Sequence, residues 1–199
     1  MTNLSIKTVI GNDVSFYIPE LARLRITVFR EYPYLYDGSL EYEEQYLSVF
    51  SSCPESIAVM VFSGDKIVGV STALPLSNAA DEFQQPFIKR GYDSDKIFYL
   101  SESVILKEFR GQGLYKSFFE EREGYAKSLN RFDMTAFCAV ERPENHLRKP
   151  SGYISLDNYW MKSGYKKQQE MMTMFPWKEL DEADESLKPM MFWLKNINL

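Results

Sequence analysis

The chain has 199 residues, 45% hydrophobic and 26% charged, close to the globular averages of about 45–50% and 25%, which excludes a disordered or collagen-like chain. A length within roughly 100 to 200 residues favours one domain, residues 1–199, able to bury about 70% of its unfolded surface without metal or disulfide staples. With 28 acidic against 23 basic residues the net charge is −5 and the pI near 5.1, a field that repels nucleic acid and anionic lipid, so no nucleic acid and no membrane are expected as partners.

Cys53 and Cys138 stand far apart and in no Cys-x-x-Cys or His-flanked spacing, so neither a disulfide framework nor a metal site is expected. The first residues, MTNLSIKTVIGNDV, lack the basic start and apolar block of an export signal. No segment approaches the ~18 uninterrupted apolar residues of a membrane span. The expected location is the cytoplasm.

SIKTVI, residues 5–10, is short and β-branched and predicts a first or edge strand. A helix follows from Ile18, with Pro19 in its first turn and Leu21, Leu24, Arg25 and Val28 at three- and four-residue steps, and it should fail near Pro33. Asp37-Gly38 marks a turn, and Tyr42, Tyr46 and Leu47 suggest a second helix. Ile57 to Phe62 and Ile67 to Leu74, joined by Ser63-Gly64-Asp65, predict an antiparallel hairpin. Residues 77–87, SNAADEFQQPF, read as a polar connection. Residues 97–106, IFYLSESVIL, are apolar on both faces apart from Ser101, Glu102 and Ser103, the pattern of a central, covered strand.

Beyond the turn at Arg110 to Gly113 a helix is predicted to about Leu129, with Leu114, Phe118, Tyr125 and Leu129 on one side and Glu120, Glu121, Glu123 and Lys127 on the wet side. Residues 132–140 predict a strand. A loop carrying Pro143, His146, Pro150 and Gly152 leads to a short helix from about Leu156 to Gly164. Two closing strands are predicted around 171–175 and 190–194, separated by the acidic ELDEADE. The MMFWL run reads as a final core strand, a homodimer contact being the alternative. The chain shows no internal repeat, and strands alternating with helices plus one hairpin predict a mixed sheet.

The chemistry concentrates between Ser101 and Leu129: a buried strand, then KEFRGQGLYK, then an amphipathic helix. Gly111 and Gly113 let main-chain N–H groups converge, and the helix N-terminus adds positive potential, so a phosphate or pyrophosphate can be held there. The alternative is that these glycines merely permit a tight turn. A dinucleotide fingerprint would need a third glycine at Lys116, and a Walker loop one before Lys116-Ser117, where Tyr115 stands. The segment resembles motif A of the GNAT superfamily of N-acetyltransferases: Arg110, Gly113 and Tyr115 occupy the places of Arg or Gln, Gly, and Gly or Ala. Tyr115 departs from the small residue, and would narrow the pyrophosphate site or stack on the cofactor. The order of elements, the pair Gly164-Tyr165, the segment FREYPYLYDG and the series from Arg142 to Trp160 are similar to one branch of the superfamily.

The resemblance implies an α/β fold of α+β type: a mixed, mostly antiparallel sheet of about seven strands, splayed near the middle, with helices on both faces. It implies an N-acetyltransferase with acetyl-CoA as co-substrate and no metal, moving acetyl to a primary amine of a small molecule or peptide by direct transfer in a ternary complex. Main-chain groups of Ser103, Val104 and Ile105 would pair with the pantetheine arm. Gly111, Gln112, Gly113, Leu114, Tyr115 and Lys116 would hold the pyrophosphate, and Arg110 would order the loop or assist with charge. A non-catalytic acyl-CoA-binding or regulatory module is the alternative, and a nucleotide-phosphate enzyme ranks third.

The amine must lose a proton, and Glu102 is the candidate base. It is expected on one strand face with Leu100 and Val104, where burial would raise its pKa; a structural ion pair with an Arg or Lys is the alternative reading. Many relatives protonate the leaving thiolate with a Tyr at the place where this chain has Trp160, so Tyr159 and Tyr153 are the substitutes, with solvent or bound water as the alternative. Tyr34, Tyr36, His146 and Trp160 are the acceptor-site candidates. His146 reads equally as a solvated loop residue, and most of the early tyrosines as core filling.

Overall fold

The structure, a computed structural model, describes residues 4–198. Strand β1 (Leu4–Ile10) is followed by a 3-10 turn, helices α1 (Ile18–Phe29) and α2 (Leu40–Ser52), and the hairpin β2 (Ile57–Ser63) and β3 (Lys66–Pro75). Helix α3 (Asp81–Ile88) precedes β4 (Ile97–Ile105); α4 (Leu114–Ser128) and β5 (Met134–Val140) come next; α5 (Asp157–Lys162), β6 (Lys166–Trp177) and β7 (Ser186–Asn196) close the chain. The strands form one seven-stranded sheet in the order β1-β2-β3-β4-β5-β7-β6. Neighbours are antiparallel except β4 and β5, which run parallel.

Each face of the sheet carries its own core. Helices α1 to α3 bury Leu21, Leu47, Phe83 and Phe87 against Met60, Val70, Tyr99 and Phe192. On the other face α4 and α5 bury Phe118, Ala126 and Trp160 against Val59, Phe98, Phe137 and Trp193. The interior strands are apolar on both sides because both sides are covered. The MMFWL run lies in β7 with Phe192 and Trp193 almost wholly buried, between β5 and β6. Both closing strands are longer than the hydrophobic runs that announced them, since β6 and β7 continue as a paired ladder past their apolar centres.

Two features depart from expectation. Strand β4 does not keep regular alternation through Glu102. Ser71 pairs with Ser103 but Ala73 with Leu100, so β4 holds one residue more than β3 across this interval, a bulge that turns side chains to new faces. Leu100 consequently packs against the α4 side, whereas Val104 and Glu102 face α1; Glu102 does not share a face with Leu100.

The stretch 81–88, read as polar connection, is a helix. Asp81 and Glu82 occupy its first turn and Phe83 and Phe87, four residues apart, are buried. Pro86 inside it has no N–H to donate to the Glu82 carbonyl four residues back. The Thr173 hydroxyl of β6 donates to that carbonyl instead, at 2.6 Å. The helix is thus completed by a strand ninety residues away, which local sequence cannot show.

Thr173→Val is expected to destabilise the fold by about 1–2 kcal/mol in urea unfolding, the cost of a carbonyl left unpaired. In a Pro86→Ala background, where the helix supplies its own N–H, the same substitution should cost less than half as much.

Candidate active site

The site begins where two strands stop pairing. Parallel pairing of β4 and β5 is confined to Ile97↔Met134, Phe98↔Thr135 and Tyr99↔Ala136. Beyond that, β4 stays with β3 as far as Ile105 and β5 stays with β7 as far as Val140, so the two diverge. The opening is a cleft of about 150 Å³ with Leu100 to Ser103 on one wall and Phe137 to Glu141 on the other.

Arg122 of α4 holds the β4 wall. Its guanidinium is buried without a carboxylate partner among the described residues and donates to the carbonyls of Thr72 (3.1 Å) and Glu102 (3.3 Å) and to the Ser103 hydroxyl (3.0 Å). These are the groups that the bulge disturbs. Ser71 adds its hydroxyl to the Glu102 carbonyl at 2.7 Å. Burial lowers the Arg122 pKa from its ordinary value.

Beyond the end of β4 comes the glycine loop. The main-chain N–H groups of Gly111, Gln112, Gly113, Leu114 and Tyr115 find no acceptor among the described residues. Gly111 and Gly113 have φ of +77° and +82°, and a Cβ on either would touch nothing within 4 Å; the requirement for glycine is conformational, not spatial. Arg110 secures the loop, its Nε donating to the Ile105 carbonyl at 2.9 Å and its two Nη atoms to Glu31 at 2.8 and 2.9 Å. Lys116 pairs with Glu120 on the exposed side of α4.

Tyr115 points along the cleft. Its hydroxyl accepts from Trp160 Nε1 at 3.2 Å and bonds with Ser103, and burial raises its pKa. Tyr153 also lines the cleft, edge-on to Tyr32 at 4.7 Å. Tyr159 does not line it: its ring packs on Tyr115 and Phe119 at 5.2 and 6.2 Å. His146 lies outside as well, against Tyr32 at 5.6 Å, with Nδ1 accepting from the Arg148 N–H.

On the opposite side of the sheet a second chamber, of about 80 Å³, meets the cleft at Phe29, Tyr34, Ser101, Glu102 and Cys138, which line both. Tyr36 lines this chamber alone. The segment that carries these tyrosines is clamped: Arg142 donates to the carbonyls of Pro33 (2.7 Å) and Tyr34 (3.2 Å) and to Glu179 (2.6 Å), while Trp177 Nε1 donates to the Tyr34 carbonyl at 3.0 Å. FREYPYLYDG and the series beginning at Arg142 are thereby two halves of one wall.

Arg25 lies in this chamber between Glu43, to which its Nε donates, and Glu102, whose Oε2 is 2.7 Å from Nη1. Burial opposes the charge on Arg25, but Glu102 and Glu43 together outweigh it and hold the guanidinium above its ordinary pKa. Of the two readings of Glu102 the structure shows the ion pair, and the same residue lines both chambers. Cys138, 3.0 Å from the Tyr99 hydroxyl, is pushed up to about 12 by burial and stays a thiol.

Sequence reasoning passed over Arg25, Glu43 and Arg122. The available signal was a charge on an apolar helix stripe: Arg25 is one turn from Leu21, Glu43 one turn before Leu47, and Arg122 one turn after Phe118. Such a charge is buried only with partners. Among the described residues no three His, Cys, Asp or Glu side chains are grouped to share a metal ion, and no helix is long and apolar enough to cross a membrane.

Solved structures with this architecture cover nearly the whole chain. Ribosomal-protein-alanine N-acetyltransferase from Brucella melitensis superposes with TM-score 0.60 at 11% identity, over 96% of this chain and 99% of that one. The fold is that of the GNAT acetyltransferases. A GNAT acetyltransferase from Streptococcus pneumoniae gives 0.56 at 16% identity, covering 98% and 99% of the two chains. Aminoglycoside 6'-acetyltransferase type Ii gives 0.56 at 17% identity, covering 98% of each. No family model matches the sequence, and no curated protein matches it significantly. The likeness to GNAT structures therefore resides in the fold and not in the sequence.

Replacing Arg122 with Met, of similar reach but without donors, is expected to cost about 2–4 kcal/mol in chemical unfolding, because the Thr72 carbonyl is left buried and unpaired. Arg122→Lys, which keeps one charged donor, should lose less.

Proposed function

We propose that the chain is an acetyl-CoA-dependent N-acetyltransferase that acetylates a primary amine by direct transfer within a ternary complex. One observation carries the reading: a run of unpartnered N–H groups, Gly111 to Tyr115, ends on Tyr115, which lines the same cleft as Glu102, and Glu102 also faces a chamber on the far side of the sheet. These residues fit acetyl-CoA. The convergent N–H groups suit a pyrophosphate at a helix start, and the margin of β4 vacated by β5 suits an extended amide arm, as an added strand would. When bound, acetyl-CoA supplies an acyl carbon joined to a good leaving group.

The remaining work falls to the chain. Residues 111–116 and Arg110 hold the anionic end of the co-substrate, and Ser103 to Ile105 align its arm. Glu102, at the junction of the two chambers, accepts the proton that frees the amine lone pair. Tyr115 and Tyr153 present hydroxyls to the cleft, and burial keeps both protonated, the form that donates to a departing thiolate. A thiolate with a reference pKa of about 8.5 asks little of its donor. Burial favours the neutral thiol of Cys138, the less nucleophilic form, which supports direct transfer over an acyl-enzyme route.

The observation on the side of a non-catalytic acyl-CoA module is Trp160, bonded to Tyr115 where many relatives carry an acidic hydroxyl. Tight acetyl-CoA binding with no thiol release over a broad amine panel would select that reading.

Glu102→Gln should lower kcat by about a hundredfold or more while the acetyl-CoA dissociation constant, measured by calorimetry, moves less than threefold. An unchanged kcat would remove Glu102 from proton transfer. Gly113→Ala forces an L-residue into left-handed backbone at about 1–2 kcal/mol; weaker acetyl-CoA binding by about tenfold is expected in the same assay. Initial-velocity plots should intersect, as a ternary complex requires.

A further inference from the structure

The chamber facing away from the glycine loop is more particular than an amine site need be. Its charges do not cancel. Arg25 is set against two carboxylates, Glu43 and Glu102, and the chamber is lined by no other Lys, Arg or His among the described residues. The single charge of Arg25 is outnumbered, since it is shared between both carboxylates, and its guanidinium lies against the rings of Tyr46 and Phe29 at 4.4 and 5.0 Å. Glu102 Oε1 is a buried oxygen without a hydrogen-bond partner among the described residues, and Glu43 Oε1 has beside it only the Tyr36 hydroxyl, whose proton the carboxylate helps to hold. Buried carboxylate oxygens in net excess call for a cation with N–H groups.

The walls define what that cation is attached to. Nine of the fifteen lining residues are aromatic, Phe83, Tyr99, Phe175 and Trp177 among them. Phe83 is stacked between Tyr99 and Phe175, with centroids 5.3 and 4.9 Å away. Aromatic faces attract ammonium groups and pack flat apolar bodies, but leave hydroxyls and additional charges unpaired.

Building on the transferase reading, we infer that the acceptor is a small monoamine with an aromatic or similarly flat apolar body, carrying one positive charge and no carboxylate. Its ammonium sits against Glu43 and Glu102 and its body against the aromatic wall. An amino acid is disfavoured because its carboxylate would need a free cation, and Arg25 is already engaged twice. Polyamines and aminoglycosides are disfavoured because their further charges and hydroxyls would meet rings. The acceptor thus differs from those in the names of the aminoglycoside and ribosomal-protein enzymes that share the fold. The proton balance is complete: the ammonium gives one proton to Glu102, the freed lone pair forms the C–N bond as the C–S bond breaks, and the second nitrogen proton leaves with the thiol or to solvent. The products are the N-acetyl amine, coenzyme A thiol and one proton returned from Glu102.

The test is acetyl-CoA-dependent thiol release by the full chain with phenethylamine, phenylalanine, spermidine, an aminoglycoside and an alanyl peptide, with acetyl-CoA binding measured separately by calorimetry. The expected result is a kcat/KM for phenethylamine at least a hundredfold above that for phenylalanine, which differs from it only by a carboxylate, and at least tenfold above the others. Glu43→Gln should raise the phenethylamine KM about tenfold with kcat changed less than threefold; the wild-type comparison needs no variant to fold. Equal use of phenylalanine, or preference for the polyamine, aminoglycoside or peptide, overturns the inference and leaves the transferase reading standing. Failure of acetyl-CoA to bind overturns the transferase reading, and the acceptor assignment with it.

Discussion

Everything distinctive in this molecule follows from the parting of β4 and β5 after three residue pairs. A sheet that stayed zipped would bury its main-chain groups in a ladder and leave no passage between its faces. The bulge in β4 redirects that strand just where pairing ends, and Arg122 takes up the carbonyls that the bulge strands. A buried guanidinium with only neutral acceptors is costly to place. It persists because the alternative is an unpaired carbonyl and a collapsed gap.

The parting also explains how one carboxylate reaches two chambers. Glu102 belongs to the irregular residues of β4, so its side chain turns toward α1 while its neighbours Leu100 and Ser103 still line the cleft. Arg25 from α1 pairs with it and with Glu43 from α2, joining the helical layer to the strand that leads into the glycine loop. Arg110 makes a similar link at the surface, between the loop and Glu31 at the end of α1. The charges that line the chambers and the charges that hold the fold together are in this protein largely the same groups.

Much of the architecture was legible in the chain. The hairpin announced itself by Ser63-Gly64-Asp65 between two β-branched runs, and the covered centre of the sheet by the two-sided apolarity of residues 97–106. The glycine loop was legible because Gly111 and Gly113 have a conformational reason to be glycine, and both adopt left-handed backbone. Helix α3 was not, since Pro86 argues against a helix and its missing donor is replaced by Thr173 from a strand far along the chain.

Among the candidate site residues, Glu102, Tyr34, Tyr36, Tyr153 and Trp160 line one or both chambers, whereas Tyr159 and His146 line neither. Periodicity states which face of an element a residue occupies and is silent once a bulge breaks the count, as at Glu102. The sequence by itself determined most of the elements, their order and the glycine turn after β4, because these follow from local backbone preference and hydrophobic spacing. Only the tertiary structure decided which charges are buried together, how Glu102 is turned and what walls the far chamber, because those depend on contacts between α1, α2, β4 and β6 that no local spacing encodes.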